Sequence, residues 1–420
     1  MQTAHSDSRT ARLIGREDAV AAANYAPLPV VLERGAGEWL WDVDGKRYLD
    51  MMSAYSAVSH GHRHPRLVRV LKEQADRLAI TSRAFHTDTL GPFLEKLCAV
   101  TGQERALPMN TGAEAVETAI KAARRWGHRV KGIPNNTAEI VVARNNFHGR
   151  TTTISSFSSD PESKDGFGPF TPGFAEAEFG DIGSVRAAIT ERTCAVLMEP
   201  IQGEAGIIVP PDGFLRDLRA LCNEHGILLI LDEIQSGLGR TGRMFAHEHE
   251  GIRPDGLILG KALGGGLLPV SAFLTSEEVM SVLTPGSHGS TYGGNPLAAA
   301  VGRAALAVLE EEGLAERSAR LGAVLKREIA AINHPLIREV RGKGLWLGVE
   351  IDAGRCPARV LCERLMERGV LAKETHETVL RFAPPLMIGE DALIWGIEQF
   401  RAVVREADSG AAAGPAPRDG

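Results

Sequence analysis

Ile227-Leu-Leu-Ile-Leu-Asp-Glu-Ile-Gln-Ser-Gly237 is the stretch on which the fold turns. Its first five residues are continuously apolar, the pattern of a strand buried on both faces of a parallel sheet rather than one with a wet side. Working outward, comparable strand candidates lie at Glu139–Ala143, Cys194–Met198, Leu257–Leu259 and Val270–Leu274. Helical patterns separate them, and that alternation predicts an α/β layered domain. Trp39 to Tyr48 reads as a hairpin turning at Asp44-Gly45. One helix has clear ends: Asn295 caps it, Pro296 fits its first turn, and Gly313 stops it. Helical spacing resumes over 314–332. The remainder reads as strand, helix, strand, helix. The expected organisation is an N-terminal segment with its hairpin over 1–50, a large domain with a mostly parallel central sheet over 51–333, a smaller α+β domain over 334–408, and a disordered tail over 409–420.

Composition narrows the function classes. The chain has 420 residues, long enough for two or three domains. Its 47 basic and 53 acidic residues give a net charge of −6 without a long basic run, which argues against nucleic acid as the main partner. No apolar stretch has membrane-spanning length. The five cysteines are scattered and odd in number, which suits a reducing compartment better than a disulfide framework or a zinc site. Met1 to Asp18 lacks the apolar core of a secretory signal, so a soluble cytoplasmic protein is expected.

Three charged residues stand where buried strands run out: Glu199, Asp232 and Lys261. In open α/β sheets the carboxyl ends of strands form the ligand crevice. A lone lysine there would simply pair with one of the acids. Lys261, however, is flanked by Gly260, Ala262 and Gly264-Gly-Gly266, which leave room for a bulky partner at the amine. A desolvated lysine loses its proton readily and can attack a carbonyl, so Schiff-base chemistry is natural. Were that carbonyl pyridoxal phosphate, Asp232 would hold the pyridine nitrogen. Asn110-Thr-Gly-Ala-Glu-Ala115, opening a helix, would cradle the phosphate, and Phe147 would cover the ring.

With these blocks in view, the chain is similar to class III (subgroup II) aminotransferases, pyridoxal-phosphate enzymes of fold type I. Within that class it is most similar to the ornithine aminotransferases. The resemblance runs from about Asn24 to about Phe400. It rests on Asn24-Tyr-Ala-Pro-Leu-Pro29, Ser53-Ala-Tyr-Ser-Ala-Val58, Leu107-Pro-Met-Asn-Thr-Gly112, Asp165-Gly-Phe-Gly-Pro-Phe170, Glu199-Pro-Ile-Gln-Gly-Glu-Ala-Gly206, Gly260-Lys-Ala262, His288-Gly-Ser-Thr-Tyr-Gly-Gly-Asn-Pro296 and Arg381-Phe-Ala-Pro-Pro385, together with the block already quoted. Tyr55 and Gly203-Glu-Ala-Gly206 favour the ornithine branch. The resemblance implies that Lys261 joins the cofactor aldehyde and shuttles a proton, and that Asp232 holds the ring nitrogen. It further implies Gln235 at the ring hydroxyl, Phe147 and Ile234 on the two ring faces, and Gly112 and Ala113 at the phosphate. Ser290 and Thr291 would reach the phosphate of the other subunit, making the active unit a homodimer or a dimer of dimers. Two departures stand out: Ala113 replaces a usual valine, and His148 follows Phe147 where animal members carry tryptophan.

The expected activity is transfer of the δ-amino group of L-ornithine to 2-oxoglutarate; acetylornithine or 4-aminobutyrate is the alternative donor. Ornithine must keep its α-carboxylate remote from the cofactor, whereas 2-oxoglutarate must bring its own close. One site therefore needs a permanent far anion clamp and a near clamp that switches off. Arg150, helped by the Tyr25 hydroxyl, suits the first. Arg381 suits the second, with Glu204 neutralising it while ornithine is bound. Tyr55 would contact the α-amino end.

Two other patterns are set aside. Gly237-Leu-Gly-Arg-Thr-Gly242 matches a dinucleotide fingerprint formally, but Asp232 and Glu233 precede it and Gly251 and Pro254 cut short any following helix. His60, His62 and His64, like His247 and His249, alternate without helical ligand spacing and read as solvated turn residues; no metal site is expected.

Overall fold

A computed structural model of the chain describes residues 8–409. The tail expected over 409–420 therefore lies, Ser409 apart, outside the described residues. Seven strands form the central sheet in the order Arg105–Met109, Ser271–Thr275, Gly256–Leu259, Leu228–Asp232, Thr193–Met198, Glu139–Ala143, Phe174–Ala177. All but Ser271–Thr275 run the same way, and that one strand is antiparallel to both its neighbours.

The apolar runs are continuous because each face of the sheet has its own core. Leu228, Ile230, Ile258 and Phe273 pack into one cluster, beneath the helix Gly112–Arg129. Their alternates Leu229, Leu231, Leu257 and Leu259 pack into the other, against the helices Phe214–His225 and Pro296–Glu311. Each such side chain contributes on the order of 1.5–3 kcal/mol on burial. Two strands escaped the sequence reading, Arg105–Met109 and Phe174–Ala177. Both lie at the edges of the sheet, where half-buried faces do not need unbroken apolar runs.

The helix ends follow their side chains. Asn295 accepts a hydrogen bond from the Ala298 N–H at 2.9 Å, and Pro296 sits in the first turn. Thr111 caps Gly112–Arg129 in a capping box with Glu114.

The C-terminal part differs from the simple strand–helix alternation expected. It carries a four-stranded antiparallel sheet ordered Ile337–Gly342, Leu347–Ile351, Val379–Phe382, Lys373–Thr375, with the helices Ala358–Glu367 and Glu390–Ser409. The expected hairpin is the strand pair Trp39–Asp42 and Arg47–Asp50. It does not stand apart, because Arg47–Asp50 pairs in parallel with Val370–Leu371.

The large and C-terminal parts meet through unusually close backbones. A Cβ on Gly322, in the helix Leu314–Ala330, would lie 2.1 Å from the Gly344 carbonyl carbon. Gly344, at φ +59°, in turn lies against the Arg240–Gly242 backbone. Gly322→Ala should therefore lower the unfolding free energy by about 1–3 kcal/mol, the usual cost of overpacking. Urea denaturation followed by circular dichroism measures it, and an unshifted midpoint would refute the close packing.

Candidate active site

Glu199 follows the strand Thr193–Met198, Asp232 ends its neighbour Leu228–Asp232, and Lys261 lies two residues beyond Gly256–Leu259. Because these strands are adjacent and parallel, their ends deliver all three groups to one rim. A cavity of about 170 Å³ opens there, bounded by all three. Gly112, Ala113, Phe147, Ile234 and Gln235 also line it, so the structure gathers seven expected cofactor residues into one place.

Each wall has a local cause. The capping box consumes the Glu114 N–H, while Gly112 and Ala113 start the helix at the cavity, where first-turn N–H groups lack intrahelical acceptors. A Cβ on Gly112 would come within 2.9 Å of Ile234 Cδ1, so a larger residue there would push that side chain. Lys261 adopts φ +43°, in the left-handed region that a lysine rarely occupies.

The electrostatics are concentrated. His148 Nδ1 lies 2.7 Å from Asp232 Oδ2, and the Ile234 N–H donates to Asp232 Oδ1 at 3.0 Å. Burial alone would lower the His148 pKa, but the Asp232 hydrogen bond and charge, with Glu199 behind, raise it above its ordinary value. His148 is thus a partner of the expected ring-nitrogen acid, not merely a pocket wall, and its Nε2 has no partner among the described residues. Glu199 accepts from the Phe147 N–H at 3.0 Å and the Gly203 N–H at 3.3 Å. Burial pushes its carboxyl up to about 7. Burial also lowers the Lys261 pKa, with Glu204 and Asp232 pulling against it and Arg381 adding to it. Such an amine loses its proton more easily than a solvated lysine.

Beyond Lys261 lies a second cluster. Arg381, fully buried on Val379–Phe382, donates from Nη1 to Glu204 Oε1 at 2.9 Å and from Nη2 to Gln235 Oε1. Gln235 Nε2 donates to the same Glu204 oxygen at 3.0 Å, so the amide engages the ion pair directly. Burial would raise Glu204, but the charge and hydrogen bond of Arg381 hold it below the usual carboxylate range. The Tyr55 ring lies 5.1 Å from the Arg381 guanidinium carbon, a cation–π distance. Burial and Glu204 raise the Tyr55 hydroxyl pKa.

Tyr55 reaches this position on a left-handed turn: Ser53, Ala54, Tyr55 and Ser56 have φ of 44°, 47°, 57° and 73°. Left-handed residues other than glycine cost roughly 1–2 kcal/mol each, so the surroundings must impose the turn. Asp50 Oδ1 accepts the Met52 and Ser53 N–H groups at 2.9 and 2.8 Å.

Four expected site residues stand outside both the cavity and the Arg381 cluster. Tyr25 is 83% exposed and Arg150 is also exposed, its guanidinium 5.7 Å from the Phe147 ring centroid, and no hydrogen bond joins the two among the described residues. Ser290 accepts from Asn110 Nδ2 at 3.0 Å, and Thr291 faces outward. The histidines set aside as solvated are not so. His60 is buried and donates to the Ala305 carbonyl at 3.0 Å, and buried His247 lies 2.8 Å from Glu233. The sequence reading missed the His148–Asp232 pair and the buried Arg240 in the set-aside glycine motif; a charged residue amid glycines after a strand end was the available signal.

The raised Glu199 pKa has a stability consequence. Its folded value, about 7, exceeds the ordinary 4.5, so the protonated carboxyl stabilises the fold fully below 4.5. That contribution is lost as pH rises through 7, and raised His148 acts in the same direction. Glu199→Gln stays neutral throughout, so its stability relative to the parent should rise by up to about 3 kcal/mol between about pH 5 and about pH 8. Urea titrations across that range measure it, and parallel pH profiles for parent and variant would contradict the buried, protonated carboxyl.

Comparison with known proteins agrees with this geometry. Residues 20–404 match the family described as aminotransferase class-III. The ornithine aminotransferase of Bacillus subtilis is 54% identical over 400 residues, covering 95% of this chain and 99% of that protein. The ornithine aminotransferase of Toxoplasma gondii, whose crystal structure has partial occupancy of PLP at the active site, superposes with a TM-score of 0.95. It is 41% identical, with 96% of each chain covered. The acetylornithine aminotransferase of Elizabethkingia anophelis superposes at 0.88 with 49% identity, over 94% of this chain and 99% of that one. The lysine, the paired acids and the glycine-started helix at the sheet's rim thus have a common explanation: this chain belongs to the class-III aminotransferases.

Proposed function

We propose that the protein is a pyridoxal-phosphate-dependent ornithine δ-aminotransferase, passing the δ-amino group of L-ornithine to 2-oxoglutarate. The observation that carries the assignment to an ω-amine donor is the Glu204–Arg381 pair, 2.9 Å apart with Arg381 fully buried, and the Tyr55 ring beside it supports ornithine among such donors. The cavity fits the cofactor by its own chemistry. Gly112 leaves space that a Cβ would fill, buried Asp232 answers a ring nitrogen, and a lowered-pKa lysine answers an aldehyde. When bound, the cofactor supplies that aldehyde and an electron-accepting ring.

The chain's residues divide the remaining work. Lys261 offers a neutral amine as nucleophile and afterwards takes and returns the substrate proton at Nζ. Asp232, held by His148 and the Ile234 N–H, would keep the ring nitrogen protonated. Gly112 and Ala113 would hold the phosphate at the helix start, and Phe147 and Ile234, which line the same cavity, would cover the ring. Arg150, with Tyr25, receives the remote α-carboxylate of ornithine. Glu204 cancels the Arg381 charge while no carboxylate is near, and yields it when 2-oxoglutarate binds.

We further propose a homodimer. Leu78, Ile80, Phe85 and Tyr292 are exposed apolar residues; Tyr292 follows Thr291 in sequence, and the Ala79 carbonyl, between Leu78 and Ile80, accepts from the Leu297 N–H at 3.3 Å. A second copy covering that face would receive Ser290 and Thr291 at its phosphate. Five unpaired thiols support a cytoplasmic location.

Assaying ornithine and N-acetylornithine with 2-oxoglutarate tests the donor; faster turnover of the acetylated amine would replace ornithine with acetylornithine. Lys261→Ala should lower kcat about 10⁴-fold, the upper end of what a positioned base contributes, with the circular dichroism spectrum retained. Glu204→Ala leaves Arg381 uncompensated and should reduce kcat/KM for ornithine about 30-fold, as for the loss of ~2 kcal/mol, with a smaller effect on the 2-oxoglutarate half. Equal losses in separately measured half-reactions would sink the charge-switching role.

A further inference from the structure

We propose that Arg240 is a positioning residue for Tyr55: its guanidinium clamps the left-handed turn Ser53–Ser56 to the backbone beside Arg381, and so sets the donor discrimination made at that end of the site. The inference rests on the ornithine reading above.

Arg240 is wholly buried, yet the groups that receive its hydrogen bonds are hydroxyls and carbonyls rather than a carboxylate. A guanidinium buried for charge pairing would meet an acid; this one is used as a fork. Nη2 donates to Ser53 Oγ at 3.1 Å and to Ser59 Oγ at 3.0 Å. Since a guanidinium cannot accept, both hydroxyls must point their protons elsewhere. Ser53 donates to the Ala383 carbonyl at 2.6 Å, and Ser59 donates to the Ser56 carbonyl at 3.0 Å. One nitrogen therefore fixes the first residue of the turn and, through Ser59, its last. The other nitrogen, Nη1, donates to the carbonyls of Pro384, at 2.6 Å, and Leu345, at 3.0 Å. Pro384 lies three residues beyond Arg381, so the fork spans from the Tyr55 turn to the exit of the Arg381 strand. The separation of the Tyr55 ring from the Arg381 guanidinium, 5.1 Å, is the quantity this bridge controls.

Lysine at 240 keeps a cation near Arg381 but cannot reproduce a planar fork with four acceptors on two sides. Arg240→Lys should therefore lower the ratio of kcat/KM for ornithine to that for glutamate, an α-amine donor, by about tenfold, within the range that misplacement of a substrate-contacting group produces. Tyr55→Ala should lower the same ratio, and the double variant should fall no further than Tyr55→Ala within about twofold. Ser53→Ala, which removes one end of the clamp and spares the arginine, should move the ratio in the same direction if Arg240→Lys folds poorly. Hydrogen exchange of the amides over 51–61 should quicken in both clamp variants. An unchanged ratio in Arg240→Lys, effects that multiply in the double variant, or unaltered exchange over 51–61 would overturn the proposal. A parent protein without ornithine turnover would instead refute the function, while the exchange measurement would still decide the clamp.

Discussion

An amine kept dry must be made tolerable as a base without being locked into a salt bridge. Lys261 meets that demand at the rim of the central sheet. Burial drives its proton off, while Glu204 and Asp232 moderate the effect from two sides. Neither carboxylate is hydrogen-bonded to the lysine itself: Asp232 is occupied by His148 and the Ile234 N–H, and Glu204 by Arg381 and Gln235. The lysine is thus surrounded by charge that is already spoken for. That condition needs three adjacent parallel strands ending together, which in turn needs apolar cores on both faces of the sheet.

The second requirement is that groups from distant parts of the chain meet over this amine. Arg381 comes from the antiparallel C-terminal sheet, Glu204 and Gln235 from loops of the central one, and Tyr55 from a turn near the N-terminal hairpin. The pieces are joined where side chains would be in the way. Gly322 and Gly344 allow a helix, the Gly342–Trp346 segment and the Arg240–Gly242 loop to stack backbone against backbone. Arg240 then does through hydrogen bonds what these glycines do through contact.

Much of the central sheet was legible because a strand with two cores must be apolar throughout, as Leu228–Leu231 is. Edge strands obey no such rule, and Arg105–Met109 even contains Pro108 opposite Ala272. The charged groups at the strand ends were legible for the same reason as the strands. The His148–Asp232 contact was not, since it joins residues 84 positions apart and histidine after phenylalanine has no periodic signature. The left-handed turn was invisible for a different reason. Sequence signals positive φ through glycine or asparagine, whereas Ser53, Ala54, Tyr55 and Ser56 are held there by Asp50, Ala383 and Arg240. Likewise, alternating histidines resemble a wet turn, but His60 is buried and donates to the Ala305 carbonyl, a contact that no local pattern announces.

Fold similarity cannot choose between ornithine and its acetylated relative, because neighbours of both names superpose closely. That distinction must come from the α-nitrogen, a cation in ornithine and a neutral amide in its acetylated relative, whereas the charge switch at Arg381 serves either donor. A buried guanidinium without a counter-ion is costly, so Arg381 requires an anion at every stage of a reaction whose substrates present carboxylates at opposite ends. In the proposed reaction Glu204 would supply it while the donor is bound. Gln235 makes the exchange feasible: it accepts from Arg381 through Oε1 and donates to Glu204 through Nε2. Were Glu204 to move away to admit the carboxylate of 2-oxoglutarate, Arg381 would keep a neutral acceptor in place and the incoming anion would meet a cation that is still oriented. A direct arginine–glutamate pair without the amide would hold more tightly and reset less easily. The three-membered arrangement therefore suits a site that must alternate between two anions rather than keep one.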